Sequence, residues 1–315
     1  MQEIKIALDW SPNTLHAGFL IAFYKNWYRD AGISITFVNP ETNNYHLTPA
    51  KMLANDMVHF AIAPSESVLS YRTLPKPVAV KAVAALLQYD TSAIVTLASS
   101  GIDEPKKMDG KLYASYQARF EDCIVKKLIR NNGGFGMLKV DYPPKLGIWE
   151  TLLKNKADAT WIFMPWEGVQ AQFNNVALNV FRLQDYKIPY GYSPVLMTKE
   201  SILEEYPQSV EDFLAISQSG FKYAAEHSED AASFLCKHVD HPNFSNEKMI
   251  ATSLNLLKDA WVHKDGKWGK MDRDVWQNFM QWLLENKVLC SVDGDVIDDV
   301  INNLEDFYTN NFLTK

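Results

Sequence analysis

The sequence predicts an α/β protein of two lobes with a helical C-terminal extension. Three observations carry this. Strand-like runs alternate with amphipathic segments over the first two-thirds of the chain, only helical periodicity is left after about residue 200, and 315 residues exceed what one hydrophobic core usually organises.

Taken in order, the apolar run Ile4–Leu8 reads as a strand that stops at Asp9 and Trp10. Ser11, Pro12 and Asn13 make a turn, and His16 and Gly18 open a helix running through Ala22 to Trp27. ISITFV (33–38), VHFAIA (58–63), PVAVKAVAALL (77–87), AIVTLA (93–98), KLYAS (111–115), LKVDY (138–142) and ADATWIF (157–163) read as further strands. Amphipathic segments at 46–55, 121–131 and 148–155 lie between them, an alternation that argues for parallel sheets with crossover helices. Helical patterns at 207–226, 229–238, 246–262, 273–287 and 295–312 make up the tail.

Composition narrows the function classes. Hydrophobic residues are 47% and charged residues 22%, so the chain folds throughout. A net charge of -7 supplies no basic field for phosphate backbones, which excludes nucleic acid as a partner. The longest apolar stretch, Val78–Leu87, contains Lys81 and is far shorter than the roughly 20 residues a membrane helix needs, so no membrane insertion is expected. Residues 1–8 enter a strand directly, without the basic, apolar and small-residue regions of an export signal, and the expected location is cytoplasmic. A membrane importer becomes a partner only if such a signal has been removed.

Cys123, Cys236 and Cys290 are odd in number and far apart, which suits buried or half-buried thiols in a reducing compartment. In CKHVDH, the offsets among Cys236, His238 and His241 do not put three side chains on one helical face, and no metal site is expected.

An internal echo points to a site. Residues 53–66, LANDMVHFAIAPSE, and 153–167, LKNKADATWIFMPWE, each read as a helix end, a turn, a buried strand and a loop with Pro, one residue and Glu, in register after a one-residue slip. Each unit would aim its Pro-x-Glu, Pro64-Ser65-Glu66 in one and Pro165-Trp166-Glu167 in the other, at the carboxyl end of a strand, where open α/β sheets bind ligands. Two such ends facing each other make a cleft. Trp10, Asn13 and His16 also follow a strand end and would line its rim; alternatively Trp10 is a core lid and His16 a hydrogen-bonding residue at a helix start. Tyr89, Ser115, Tyr116, Trp161, Tyr190 and Tyr192 fall at strand ends or just after them. Aromatic walls with a few carboxylates and amides suit a flat, nitrogen-rich ring that stacks on π faces while its N–H groups meet Glu66 and Glu167.

These residues carry a family resemblance. LDWSPNTLHAGFLIAFYKNWYRDAGI, LANDMVHFAIAPSESV, GIDEPKKMDGKLYASY, ADATWIFMPWEG and IPYGYSPVLMTKESIL, in that order, resemble the thiamine-pyrimidine family, which groups bacterial pyrimidine-binding and aliphatic-sulfonate-binding proteins with fungal synthases of the thiamine pyrimidine. The resemblance spans roughly residues 1–225. It implies a type II periplasmic-binding-protein fold. Lobe one would hold 1–90 plus 195–315 and lobe two 91–194, with the hinge near Leu87–Ser92 and Tyr190–Val195.

Departures from the pattern argue against catalysis. The synthases use a Lys that holds pyridoxal phosphate and a His a few residues later; those positions fall near Ala63 and Ser67, and the return strand PYGYSPVLM has no Cys. Without the amine there is no Schiff base, so no cofactor is expected, although His16 matches a His of that branch. Gly133-Gly134 reads as a helix C-cap and turn rather than a phosphate loop, no G-x-S-x-G or H-E-x-x-H occurs, and the pairs Glu121-Asp122 and Asp298-Asp299 read as solvated helix faces. The sequence therefore points to a non-catalytic small-molecule-binding protein closing on a thiamine-pyrimidine precursor or similar ring. Its rivals are a synthase with a rearranged active site and a binder of sulfonates or other small anions, for which Arg119 with Ser115 is the one sequence hint.

Overall fold

In the computed structural model, which describes residues 3–143, 145–289 and 303–313, the described chain carries ten strands. They are β1 (Glu3–Ala7), β2 (Ser34–Val38), β3 (Phe60–Ala63), β4 (Val80–Ala85), β5 (Ser92–Leu97), β6 (Leu112–Ala114), β7 (Lys139–Asp141), β8 (Ala159–Phe163), β9 (Leu178–Phe181) and β10 (Val195–Lys199). The α-helices that matter first are α1 (Ala17–Tyr24), α2 (Trp27–Asp30), α3 (Pro49–Ala54), α4 (Ser65–Arg72), α5 (Glu121–Asn131) and α6 (Val169–Phe173). Then come α7 (Glu200–Glu205), α8 (Pro207–Glu226), α9 (Ser228–His238), α10 (Glu247–Trp261) and α11 (Arg273–Glu285).

The chain divides into two compact units, Met1–Tyr89 with Tyr192–Arg273 and Asn303–Lys315, and Asp90–Gly191 with Asp274–Asn302. The described part of α11 beyond Arg273 thus groups with the second unit, where the sequence reading had the whole tail in the first lobe.

Each unit has one five-stranded sheet, and the two sheets repeat a single plan. The first runs β2-β1-β3-β10-β4 and the second β7-β6-β8-β5-β9. β1 pairs in parallel with β2 and β3, and β6 in parallel with β7 and β8. β10 lies antiparallel to β3 and β4, and β5 antiparallel to β8 and β9. The sheets are therefore mixed, not parallel as the alternation suggested: β5 carries the chain into the second unit and β10 carries it back, each entering its sheet against the local direction. The echo seen in the sequence lands on equivalent strands, β3 and β8, each preceded by a left-handed turn residue, Asp56 and Asn155.

Packing in the first unit centres on α1, AGFLIAFY, whose residues from Ala17 to Ala22 are all buried, so it is a core helix rather than an amphipathic one. Gly18 and Gly220 let α1 and α8 touch: a Cβ on Gly220 would come within 2.0 Å of the Gly18 carbonyl oxygen. Phe19 meets Phe221 edge to face at 5.0 Å, and Phe221 stacks on Trp268 at 4.8 Å. The second unit buries Ala93 and Val95 of β5, Ile148 and Leu152 of the loop that follows β7, Ile162 of β8 and Ala171 of α6 together.

Several expected elements change. Residues 148–155 form wide turns, with Leu153 N–H donating to Ile148 O and Lys156 N–H to Thr151 O, spacings of five that an α-helix does not use. Residues 303–306 make a short 3-10 turn and Tyr308 pairs with Ala82, so the described end of the chain is not the helix expected over 295–312. Residues 295–302, Asp298-Asp299 and Cys290 lie outside the described residues. Gly133 and Gly134 do close α5, with their N–H groups donating to Arg130 O and Ile129 O.

Candidate functional site

Adjacent parallel strands end at the same edge of a sheet, so the loops after β1 and β3 are neighbours, and so are those after β6 and β8. These four loops hold most of the residues expected at the site. The first unit contributes Trp10 with Pro64-Ser65-Glu66, and the second Ser115-Tyr116 with Pro165-Trp166-Glu167.

The turn after β1 is built by its own polar residues. The Asn13 side-chain oxygen accepts from Leu15 N–H at 2.8 Å and its amide donates to Ser11 O at 2.9 Å. His16 is fully buried; its Nδ1 accepts from Asn13 N–H at 3.2 Å, a capping box, and its Nε2 lies 2.7 Å from Asp9 Oδ1. Accepting at Nδ1 leaves the proton on Nε2, pointed at the Asp9 carboxylate. The structure thus places Asn13 and His16 inside the turn, the alternative the sequence left open for His16, where they hold Trp10 in position. Trp10 itself is half-buried, with its ring 5.0 Å from that of Tyr45.

After β3, α4 begins at Ser65, which is buried with its N–H donating to Tyr192 O at 2.8 Å. Glu66 is buried in the first turn of α4, where the helix dipole favours a carboxylate. Tyr192 is buried and its hydroxyl accepts from Asp272 N–H at 2.7 Å; burial pushes it up to about 12, so it is a structural neutral phenol. Tyr89 is exposed.

In the second unit, β8 runs into a single π-helical turn, Met164–Gly168, a rare backbone form often found at functional sites. It turns Glu167 inward. The Glu167 carboxyl accepts from Phe163 N–H at 3.2 Å, and its other oxygen lies against Gly147, where a Cβ would come within 2.5 Å of it. Burial raises Glu167 to about 8, so it is largely protonated at neutral pH. Trp166 is buried beside it. Trp161 is nearly buried; its indole N–H donates to Ser92 Oγ at 2.6 Å, and Ser92 in turn donates to Asp90, whose carboxyl burial raises to about 6. The Tyr190 ring stands 5.1 Å from both Trp161 and Phe279.

The loop after β6 also holds an acid that the sequence reading assigned to a solvated face. Glu121 is 2% exposed, not solvated, and accepts from the Tyr113 hydroxyl at 2.6 Å, Tyr116 N–H at 3.1 Å and Ala118 N–H at 3.3 Å. Asp122 accepts from Ser115 Oγ and Tyr142 hydroxyl, both at 2.7 Å. Tyr116 is exposed on one side, and its hydroxyl donates to Trp161 O at 3.3 Å. Cys123 is exposed, contrary to the expected buried thiol, because it lies on the outer face of α5 while Ile124, Val125 and Leu128 take the inner one. His241, considered above as a metal ligand, bonds Glu41 at 3.0 Å instead.

The pattern of the family described as NMT1/THI5 like matches residues 13–231, a span that begins within the turn after β1 and contains both Pro-x-Glu loops and the return strand β10. The chain belongs to this family. The resemblance read from the sequence is thereby borne out. A formylaminopyrimidine-binding protein of Halalkalibacterium halodurans is 21% identical over 291 residues, covering 90% of this chain and 85% of its own. Among solved structures, a Candida albicans protein described as having the generic periplasmic binding protein structural fold superposes with a TM-score of 0.70 at 16% identity, covering 98% of this chain and 97% of that one. The alkanesulfonate-binding protein of Xanthomonas axonopodis pv. citri, bound to MOPS, gives 0.68 at 10% identity over 92% and 94%. This member of the family has the periplasmic-binding-protein fold, an α/β fold with two mixed sheets.

Proposed function

We propose that the chain is a non-catalytic binding protein for a small, nitrogen-rich heteroaromatic, such as a pyrimidine precursor of thiamine. One observation carries the reading: the same arrangement is used twice, a Pro-x-Glu with a buried carboxyl at the carboxyl end of equivalent strands, each time beside a loop that presents an aromatic ring. The name of the Halalkalibacterium relative agrees with this chemistry.

In this reading Trp10, Tyr116, Trp161 and Tyr190 supply π faces, and Glu66 and Glu167 meet the ring nitrogens and their N–H groups. That both sets meet one ligand is part of the proposal. A protonated Glu167 both donates and accepts, the complement of an amidine-like edge with a ring nitrogen beside an amino group. Asn13, His16, Ser115 and Tyr192 act behind these residues, since their polar atoms bond within their own unit. Trp166 and Ser65 are buried supports, and Tyr89 is a rim residue.

Catalysis of the synthase type finds no amine at the Pro-x-Glu loop: Ala63 ends β3 and Ser67 follows on α4. No helix among the described residues is long and apolar enough to cross a membrane. The cytoplasmic expectation is not carried forward, because the structural neighbours include proteins named as periplasmic binders. Delivery of ligand to a membrane importer, the role that goes with an exported protein of this fold, belongs to the same proposal.

Mass spectrometry of small molecules released from natively purified protein tests the reading. The expected result is an aminopyrimidine or closely related heteroaromatic at near-stoichiometric yield. Recovery of an alkyl sulfonate or another inorganic or aliphatic anion instead would overturn it.

A further inference from the structure

The Tyr116 loop is short, polar and bent, and its backbone adopts a left-handed conformation at Gln117, φ 60°. Such a residue persists only where its surroundings over-determine it. Here the determinants are two acids from the first turn of α5. Glu121 gathers Tyr116 N–H and Ala118 N–H on its two oxygens, and the Tyr113 hydroxyl of β6 closes the cluster from behind. Between them, Gln117 N–H donates to Ser115 Oγ at 3.1 Å, and Ser115 Oγ donates to Asp122. Three successive N–H groups, of residues 116, 117 and 118, are therefore spent on the chain's own side chains.

We propose that Glu121 is a positioning residue for ligand: its buried carboxyl fixes the 115–119 loop so that Tyr116 presents its ring, and it fills with the chain's own oxygens the N–H groups an oxyanion would use. The proposal rests on the binding reading above and adds a selectivity to it. Successive backbone N–H groups at a helix start form a natural anion cradle. A cradle whose N–H groups already donate to Glu121 and Ser115 has none left for a second acid and selects neutral or cationic rings over sulfonates and phosphates. The Ser115 and Arg119 pair, the sequence hint for an anion site, is accordingly committed elsewhere: Ser115 to Asp122, and the Arg119 guanidinium over the Phe120 ring at 5.0 Å.

The titratable groups facing Glu121 are Tyr113 from β6, Tyr116 from the loop and Asp122 from α5, with Tyr142 beyond β7 bonded to Asp122. No cation faces it among these groups. Burial raises Glu121 to about 7, so its charge state changes within the ordinary working range.

Three variants and two readouts test this. Glu121→Gln keeps the shape and one acceptor oxygen, Glu121→Ala removes the pin, and Glu121→Asp retains the charge on a shorter arm. The first readout is backbone hydrogen exchange over residues 115–119 in the full chain without ligand. The second is affinity for 4-amino-2-methylpyrimidine and for methanesulfonate from pH 5.5 to 8.5. In Glu121→Ala, exchange in the loop should quicken at least tenfold while α5 beyond Ile124 stays protected. Pyrimidine affinity should fall at least tenfold, with Glu121→Gln recovering part of it. The wild-type affinity should inflect near pH 7, and that inflection should be absent in Glu121→Gln. Unchanged exchange in Glu121→Ala would overturn the pin; quickened exchange with unchanged affinity would overturn the positioning role; sulfonate binding by the wild type at the same loop would overturn the selectivity. A wild type that binds no heteroaromatic probe defeats the binding reading itself, and the positioning role with it, whereas a wild type that binds while all three variants match it defeats only the inference drawn here.

Discussion

Replacing Glu167 by Gln should make the protein more stable in mild alkali and alter it little in mild acid. The side chain is buried, one oxygen accepts Phe163 N–H, and the other is pressed against Gly147. Burial raises the carboxyl from 4.5 to about 8, which means the folded chain holds this proton more tightly than the unfolded chain does. The stability it contributes is fully present below the unfolded value and is lost as pH rises through the folded value, so the window of loss runs from about 4.5 to about 8. At about 1.4 kcal/mol per pH unit, that interval sets an upper bound of roughly 5 kcal/mol, and relaxation or water entry reduces it. Glutamine keeps the volume and an acceptor for Phe163 N–H but has no proton to lose. Urea unfolding at half-unit steps from pH 5 to pH 9 should therefore show the wild type losing stability that Glu167→Gln retains, with a gap of roughly 2–5 kcal/mol at pH 9 and little gap at pH 5. Wild-type and variant curves that stay parallel across this range would refute the reasoning, because the burial argument would then have the wrong group or the wrong environment.

Other substitutions separate the site from its supports. Trp10→Ala should cost roughly 1–2 kcal/mol of stability, in keeping with a half-buried ring, while weakening ligand by about 1–3 kcal/mol; a stability loss of roughly 3–5 kcal/mol in denaturant would place Trp10 in the core. His16→Ala should do the reverse of a contact residue, destabilising the fold by roughly 1–3 kcal/mol through the lost Asn13 and Asp9 bonds, and calorimetric titration of the refolded variant should show only a secondary drop in affinity. Gly220→Ala drives a methyl into the Gly18 carbonyl and should lower thermal stability by about 3 kcal/mol or more; a melting temperature within a degree of the wild type would mean that α1 and α8 do not touch there.

Most strands were legible because their apolar runs are short and bounded by turn residues, and the α5 helix because Ile124, Val125, Leu128 and Ile129 repeat at helical spacing, whereas β9, LNVF, was not among the expected strands. The internal echo was legible too, and it falls on β3 and β8, the third strands of their sheets. What the sequence could not give was strand direction: β10 and β5 are as apolar as their neighbours, and nothing in VLMTK or SAIVTL says that each enters its sheet antiparallel. The wide turns at 148–155 imitate an amphipathic helix because Ile148 and Leu152 are four apart, yet both simply face the same core. At the candidate site, residue types were read more readily than their duties. Tyr192 was expected at a rim and is instead an internal brace, because its hydrogen-bond commitment depends on a partner distant in the chain, Asp272; His16 takes the alternative left open for it, with partners as near as Asn13 and Asp9. Glu121 was passed over as half of an acidic pair, since a helix start with two acids reads as solvated unless the preceding loop is known to fold back onto it.

The most direct test of the central claim is a paired thermal-shift titration of the wild-type chain with an aminopyrimidine and with an alkyl sulfonate, each over several decades of concentration. A ligand that binds the folded form alone raises the melting temperature in proportion to the logarithm of its concentration once above its dissociation constant. The account predicts that rise for the aminopyrimidine and a flat line for the sulfonate. A rise for the sulfonate with a flat line for the aminopyrimidine would contradict it.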